Sequence, residues 1–152
     1  TNKVDPCREL GADLVVDYNE QDFVEEIALW TQDQGVDVVL DVIGGDYLPK
    51  NLQCLKIQGR IIQVGAMGGP VASFALGALL PKRASLIGTV LRYRPIEQKI
   101  EAKQRFIAEL LPRFEDGSLK PVIDSRYQLA DIAAAHAYME TNANIGKILI
   151  DI

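Results

Sequence analysis

The sequence predicts an α/β fold in which a parallel sheet is covered by helices. Three observations lead there. Short β-branched runs alternate with helical stretches along the chain, the pattern of strands joined by helical crossovers. The run Val36-Asp37-Val38-Val39-Leu40-Asp41-Val42-Ile43 is almost continuously apolar, as expected of a central strand buried on both faces. That run and a later one stop abruptly at glycine, in Gly44-Gly45 and in Gly65-Ala66-Met67-Gly68-Gly69.

In chain order, Asp5 to Leu10 reads as a helix stopped by Gly11, with Pro6 in its first turn. Leu14 to Tyr18 reads as a short strand. Asp22 is placed to cap a helix over Phe23 to Thr31, in which Phe23, Ile27 and Trp30 recur on one face. Gly35 breaks that helix before the strand at Val36. Tyr47 to Leu55 is the next helix, and Gly59 opens a strand over Arg60 to Val64. A third strand covers Ser85 to Val90, followed by a long helix from about Pro95 to Leu111. Lys120 to Ile123 is a short extended segment, Leu129 to Tyr138 an alanine-rich helix, and Lys147 to Ile150 a final strand after Gly146. Gly117-Ser118 is the expected hinge, dividing residues 1–117 from a C-terminal segment, 118–152.

The chain has 152 residues, 48% of them hydrophobic and 24% charged, enough for one sizeable core. A net charge of −5 argues against an unspecific nucleic-acid binder, which carries a basic stripe. The longest apolar stretch, Val71 to Leu80, is interrupted by Ser73 and Gly77 and is too short for a membrane span. The N-terminal residues lack the apolar core of a secretory signal, and without an initiator Met the chain reads as a processed or excised piece. Cys7 and Cys54 are expected to be buried free thiols, which fits a cytoplasmic location. With one histidine and two isolated cysteines, a structural zinc site is not expected.

In open α/β sheets, ligands lie beyond the carboxyl ends of the strands. The two glycine clusters fall at that edge. Each alone fits a tight strand-to-helix turn; two on successive strands point to a flat ligand approaching main chain that lacks Cβ atoms. No G-x-G-x-x-G, G-x-S-x-G, P-loop or H-E-x-x-H occurs, which argues against serine-hydrolase and P-loop chemistry. His136, on its alanine-rich helix, reads as a packed or surface residue. Trp30, Phe23 and Phe106 read as core, and the mixed charges from Glu97 to Arg105 as a solvated helix face, with Glu101 pairing Arg105.

Four passages carry a resemblance to a known family. They are Cys7-Arg8-Glu9-Leu10-Gly11-Ala12-Asp13 with Val16-Asp17-Tyr18 and Asp22-Phe23; Gly35 to Gly45; Leu55 with Gly59-Arg60-Ile61-Ile62 and Gly65; and Asn144 to Leu149. In this order they resemble the medium-chain dehydrogenase/reductase superfamily. Met67-Gly68-Gly69, Leu79 to Leu86 and Leu91-Arg92 are similar to its zinc-independent NADPH-dependent quinone oxidoreductase branch. The resemblance implies an incomplete Rossmann-type sheet, of strand order 3-2-1-4-5-6, that begins after the first phosphate-binding strand. It implies that Val122-Ile123 and Ile148 to Ile150 return to a catalytic domain, leaving strand edges unpaired here.

The same resemblance implies an NADP(H) cofactor. Lys3 and Tyr18 would clasp the 2′-phosphate, for which an ammonium and a phenol are suited. Asp41, Val42, Ile43 and Gly44 would flank the adenine and the nicotinamide ribose. Val64, Gly65, Ala66 and Met67 would lie along the nicotinamide, and Gly88, Thr89, Val90 and Leu91 would approach its carboxamide edge. Asn142 and Asn144 would reach back from the C-terminal loop. No metal site and no catalytic side chain are implied for this part. The implied reaction is hydride transfer to a quinone or related activated double bond, with the fragment alone inactive. A homodimer through Ser85 to Val90 is also implied. Two other readings stay open: a sibling alcohol dehydrogenase or enoyl reductase, and a non-catalytic α/β fragment that self-associates through its sheet edges.

Overall fold

The computed structural model describes residues 2–152. The chain divides into two compact units, Cys7–Arg94 and, together with Asn2–Pro6, Pro95–Ile152. Helix α1 (Val4–Glu9) leads from one group of residues into the other and closes on Gly11, whose N–H donates to the Arg8 carbonyl at 2.9 Å. Cys7 is exposed and only Cys54 is buried, because the short α1 buries none of its residues.

The first unit is a three-stranded parallel sheet in the spatial order β1 (Val36–Asp41), β2 (Leu55–Gln63), β3 (Ser85–Gly88). Helix α2 (Phe23–Thr31) begins where the sequence predicts it: Asp22 accepts the Val24 N–H at 2.8 Å, and Lys50 pairs with the same carboxylate at 2.7 Å. The helix stops at Gln32, in the left-handed conformation. Helix α3 (Tyr47–Cys54) lies on one face of the sheet, where Leu48, Leu52, Leu55 and Ile61 form the core with Val36 and Val39 packed against it. Ile61, on the middle strand, is 1% exposed. A short helix, α4 (Leu79–Lys82), was not foreseen. Its Lys82 donates to the Gln53 and Leu55 carbonyls at 2.7 and 2.5 Å, closing the C-terminal end of α3. Burial holds that ammonium below its ordinary value and pushes the neighbouring Cys54 thiol up.

Three expectations fail here for one reason, missing partners. Leu14 to Tyr18 is not a strand, because among the described residues no strand lies beside it to form a ladder. β1 is a sheet edge, not a central strand, so Val38 (46% exposed) and Leu40 (70% exposed) stand open on the face away from α3. Trp30 is 53% exposed for want of a facing element, whereas Phe23 stacks on Tyr47 with centroids 5.4 Å apart.

In the second unit the long helix α5 (Ile96–Glu109) ends two residues earlier than expected and restarts as α6 (Leu111–Glu115). Pro112 has no N–H to continue the ladder, and sits at the start of the new helix, where none is needed. Arg105 pairs with Glu109 at 3.3 Å, one turn beyond it, instead of with Glu101. Phe106 is half-exposed and tilts against Phe114. The Gly117-Ser118 turn, closed by the Ser118 N–H on Asp116, lies within this unit.

Strand β4 (Ile123–Gln128) and strand β5 (Lys147–Asp151) pair parallel, linked by helix α7 (Ile132–Glu140). The helical crossover lets these two segments pair with each other, and in this two-stranded sheet each strand keeps one outer edge without a ladder partner. Arg126 and Asp151 form an ion pair across the two strands, 2.5 Å apart. Among the described residues no helix is long and apolar enough to cross a membrane.

Candidate functional site

Parallel register brings three strand ends together. Asp41 lies opposite Gln63, and Gln63 opposite Gly88. The chain leaving each strand is then tied to its neighbour: the Val64 N–H donates to Asp41 O at 2.7 Å, and the Thr89 N–H to Gln63 O at 2.9 Å. The two glycine-rich tips meet above this edge. Met67 N donates to Val42 O at 3.3 Å and Gly68 N to Ile43 O at 2.7 Å.

Asp41 organises the first tip from below. It is 4% exposed, and its Oδ1 accepts the N–H groups of Ile43 and Gly44 at 2.6 and 3.0 Å. Its Oδ2 accepts from the Asn51 side chain at 2.8 Å. All three donors come from the protein, so this carboxylate is turned into the fold.

Most of the tip glycines serve the tip-to-tip contact. A Cβ on Gly45, whose φ is +53°, would stand 2.8 Å from Gly68 O, and one on Gly65 would stand 2.9 Å from Val42 O. Gly69 and Gly88 differ, because a Cβ at either would meet nothing within 4 Å. They open onto a cleft of about 420 Å³. Gly44, Ala66 and Gly88 from the sequence reading line this cleft, along with Gly45 and Gly69; Leu48, Pro70, Ala72 and Leu86 give it apolar walls, and Gln63 adds one polar side chain. A cleft of this size and character suits a flat ring with part of its sugar. Because the sequence has no G-x-G-x-x-G turn, it offers no such cradle for a pyrophosphate.

Gln63 was missed as a site residue. The signal was available: it is the one polar side chain in Ile61-Ile62-Gln63-Val64, at the carboxyl end of an apolar strand. Asn51 carries a similar signal, a polar residue between Leu48 and Leu52 on the buried face of α3. The remaining predicted residues of this unit surround the cleft without lining it. Val42, Ile43, Val64, Gly65 and Met67 build the tips. Thr89, which accepts from Arg94 Nη2 at 2.7 Å, starts the exit from β3, and Val90 and Leu91 stand exposed beyond it.

Tyr18 lines a separate recess of about 220 Å³ with Asp22, Phe23, Tyr47 and Lys50. The Lys50 ammonium holds the Asp22 carboxyl below its ordinary value, helped by the Val24 N–H, and Asp22 in turn raises Lys50.

Lys3, Asn142 and Asn144 belong to the second unit. Lys3 Nζ donates to Asn142 Oδ1 at 2.9 Å, so two of the predicted residues do meet. Asn144 donates to Gly146 O at 2.9 Å. Asp124 anchors this loop by accepting the Ile145 N–H at 2.7 Å, with the Tyr138 hydroxyl 3.4 Å away. The Ile145 N–H is the main reason the Asp124 carboxyl is held below 3.8, its ordinary value. A depressed carboxyl stabilises the fold above its unfolded value and ceases to do so as pH falls through its folded value. The loop is therefore expected to stay ordered at neutral pH and to loosen only below about pH 3.8. Following the Ile145 amide resonance during acid titration checks this, and loosening near pH 6 would contradict it.

Among the described residues no group of three or more His, Cys, Asp or Glu side chains is placed to hold a metal ion. The family model described as zinc-binding dehydrogenase matches residues 10–150. A curated relative, quinone oxidoreductase-like protein 2 from Bos taurus, is 30% identical over 143 residues, which is 93% of this chain and 40% of that protein. Of solved structures, a quinone oxidoreductase from Pseudomonas syringae pv. Tomato DC3000 is 26% identical with a TM-score of 0.76, covering 99% of this chain and 46% of the other. Benzyl alcohol dehydrogenase from Acinetobacter calcoaceticus, also 26% identical, has a TM-score of 0.81 over 99% of this chain and 40% of its own. The chain thus spans less than half the length of these relatives. With the family match running through both units, from the end of α1 to the last strand, the chain belongs to the zinc-binding dehydrogenase family, within the medium-chain dehydrogenase/reductase superfamily.

Proposed function

We propose that this chain supplies the nicotinamide-binding part of an NADPH-dependent oxidoreductase that reduces a quinone or a related activated double bond. The observation that carries the reading is the shared cleft: two glycine tips, tied by main-chain hydrogen bonds, converge on apolar walls at the carboxyl edge of a parallel sheet. When bound, the nicotinamide supplies the hydride. The chain's own contribution is to orient and shield the ring. Leu48, Ala72 and Leu86 exclude water from one side, and the tied tips fix the opening so that little reorganisation accompanies binding.

The preference for NADPH over NADH rests on Lys3 and Tyr18, a cation and a phenol suited to a phosphate. The family relationship to a quinone oxidoreductase-like protein favours a quinone substrate. The likeness to a benzyl alcohol dehydrogenase keeps an alcohol–carbonyl substrate as the second reading. A homodimer through Ser85 to Val90, where β3 leaves its outer edge open, and a cytoplasmic location complete the proposal.

Titrating the chain with NADPH and with NADH tests it. Binding is expected to be weak, favouring NADPH by about tenfold, the scale of one charge-assisted phosphate contact. Lys3→Ala and Tyr18→Phe are expected to erase that preference while leaving NADH binding unchanged. Equal affinity for both cofactors in the parent chain would overturn the NADP assignment, and no binding of either by the folded chain would favour a non-catalytic, self-associating unit. No turnover of quinone is expected from the chain alone.

A further inference from the structure

We infer that Gln63 is a specificity-determining residue that recognises the carboxamide of the bound nicotinamide, an inference that rests on the cofactor reading above. Gln63 Nε2 donates to Gly65 O at 2.6 Å and to Asp41 O at 3.3 Å. Both partners are carbonyl oxygens, which only accept, so the NH2 group must face them and the orientation of the amide is fixed. The two donors of Nε2 are thereby committed, one to the last residue of β1 and one to the glycine-bearing connection after β2. Its Oε1 is left over, and among the described residues no protein donor hydrogen-bonds to it.

Gln63 is half-buried and lines the cleft beside Gly44 and Gly88. A Cβ on Gly44 would stand 3.3 Å from Gln63 Nε2, which puts the amide directly beneath the first tip. The cleft is otherwise apolar or glycine-lined, so Gln63 Oε1 is a fixed acceptor in an environment that favours ligands bringing an N–H. A nicotinamide ring carries one such group, the NH2 of its carboxamide. A site that offers one fixed acceptor with no protein donor discriminates against an analogue that lacks the N–H, because the acceptor then loses its water without gaining a partner.

The test compares NADPH with its 3-acetylpyridine analogue, in which a methyl ketone replaces the carboxamide and that ring substituent carries no N–H. Both are titrated into the full chain by ligand-observed NMR, which reads weak dissociation constants. The parent chain is expected to bind NADPH about three- to tenfold more tightly than the analogue. Gln63→Met, which keeps length and bulk, is expected to cut that ratio below twofold, chiefly by weakening NADPH. Gln63→Glu, in which the donor is gone but an acceptor oxygen remains, separates the two duties of the amide: it is expected to lower the melting temperature yet keep a preference for NADPH. Circular dichroism verifies that each variant folds. If Gln63→Met weakens both ligands equally, the residue only ties the tips together and the inference fails while the cofactor reading stands. If the folded parent chain binds neither ligand, both fail.

Discussion

Asp41→Ala is expected to lower the unfolding free energy of the first unit by about 2–4 kcal/mol, the cost of leaving buried donors without an acceptor. The carboxylate serves the main-chain N–H groups of Ile43 and Gly44 and the side chain of Asn51, and it is almost wholly shielded from water. Alanine is smaller, so a water molecule entering the space moderates the loss but does not reproduce three bonds from one rigid group. Asp41→Asn should be milder, about 1 kcal/mol, because its Oδ1 still accepts the two main-chain N–H groups and the Asn51 amide can rotate to offer its oxygen. Urea titrations of the parent and both variants read the difference. Alanine and asparagine variants as stable as the parent would show that the first tip holds its shape without Asp41.

Two glycine substitutions, Gly45→Ala and Gly88→Ala, are expected to weaken nicotinamide binding by about tenfold each, through different physics. At Gly45 the methyl meets the carbonyl of Gly68 at 2.8 Å and the backbone has a positive φ, so the tips must part. Strain and lost tip-to-tip hydrogen bonds together cost about 2–3 kcal/mol of stability. At Gly88 the methyl meets no protein atom, and its φ is not in the left-handed range. The fold should be as stable as before, with the methyl standing in the cleft where the ring has to lie. Melting curves beside cofactor titrations separate the two. A Gly45 variant with unchanged stability would refute the packing account, and a Gly88 variant with unchanged affinity would move the ligand elsewhere.

The elements that sequence reasoning found are those whose determinants are local. Asp22 with the periodic run after it marks α2 to the residue, and the glycines at 44–45 and 65–69 mark where strands stop. What escaped depends on partners. Leu14 to Tyr18 has strand composition but no neighbouring strand among the described residues, and β1 has the composition of a central strand but the environment of an edge. The polar run Asp124-Ser125-Arg126 hid β4, which exists because β5 lies alongside and Arg126 meets Asp151. Pro112 was a local signal that was passed over.

The candidate site was legible in outline for the same reason. Strand ends and glycines located the edge, but the division of labour among the glycines is a matter of distances between two loops, and no pattern in one loop reveals it. Gln63 and Asn51 show a usable rule: a polar side chain at an otherwise apolar, inward position is held there by specific partners, here Gly65 O of the second tip for Gln63 and the tip-organising carboxylate of Asp41 for Asn51.

The central claim is that the glycine tips after β1 and β2 form a seat for nicotinamide. Amide NMR of the labelled chain during NADPH titration tests it most directly. The account predicts that Gly44, Gly45, Ala66, Gly69 and Gly88 shift together along one binding curve, while the recess around Trp30 and Lys56 at the other end of β1 stays unperturbed. A saturable response confined to that second recess, or none at all in a chain whose spectrum shows it folded, would contradict it.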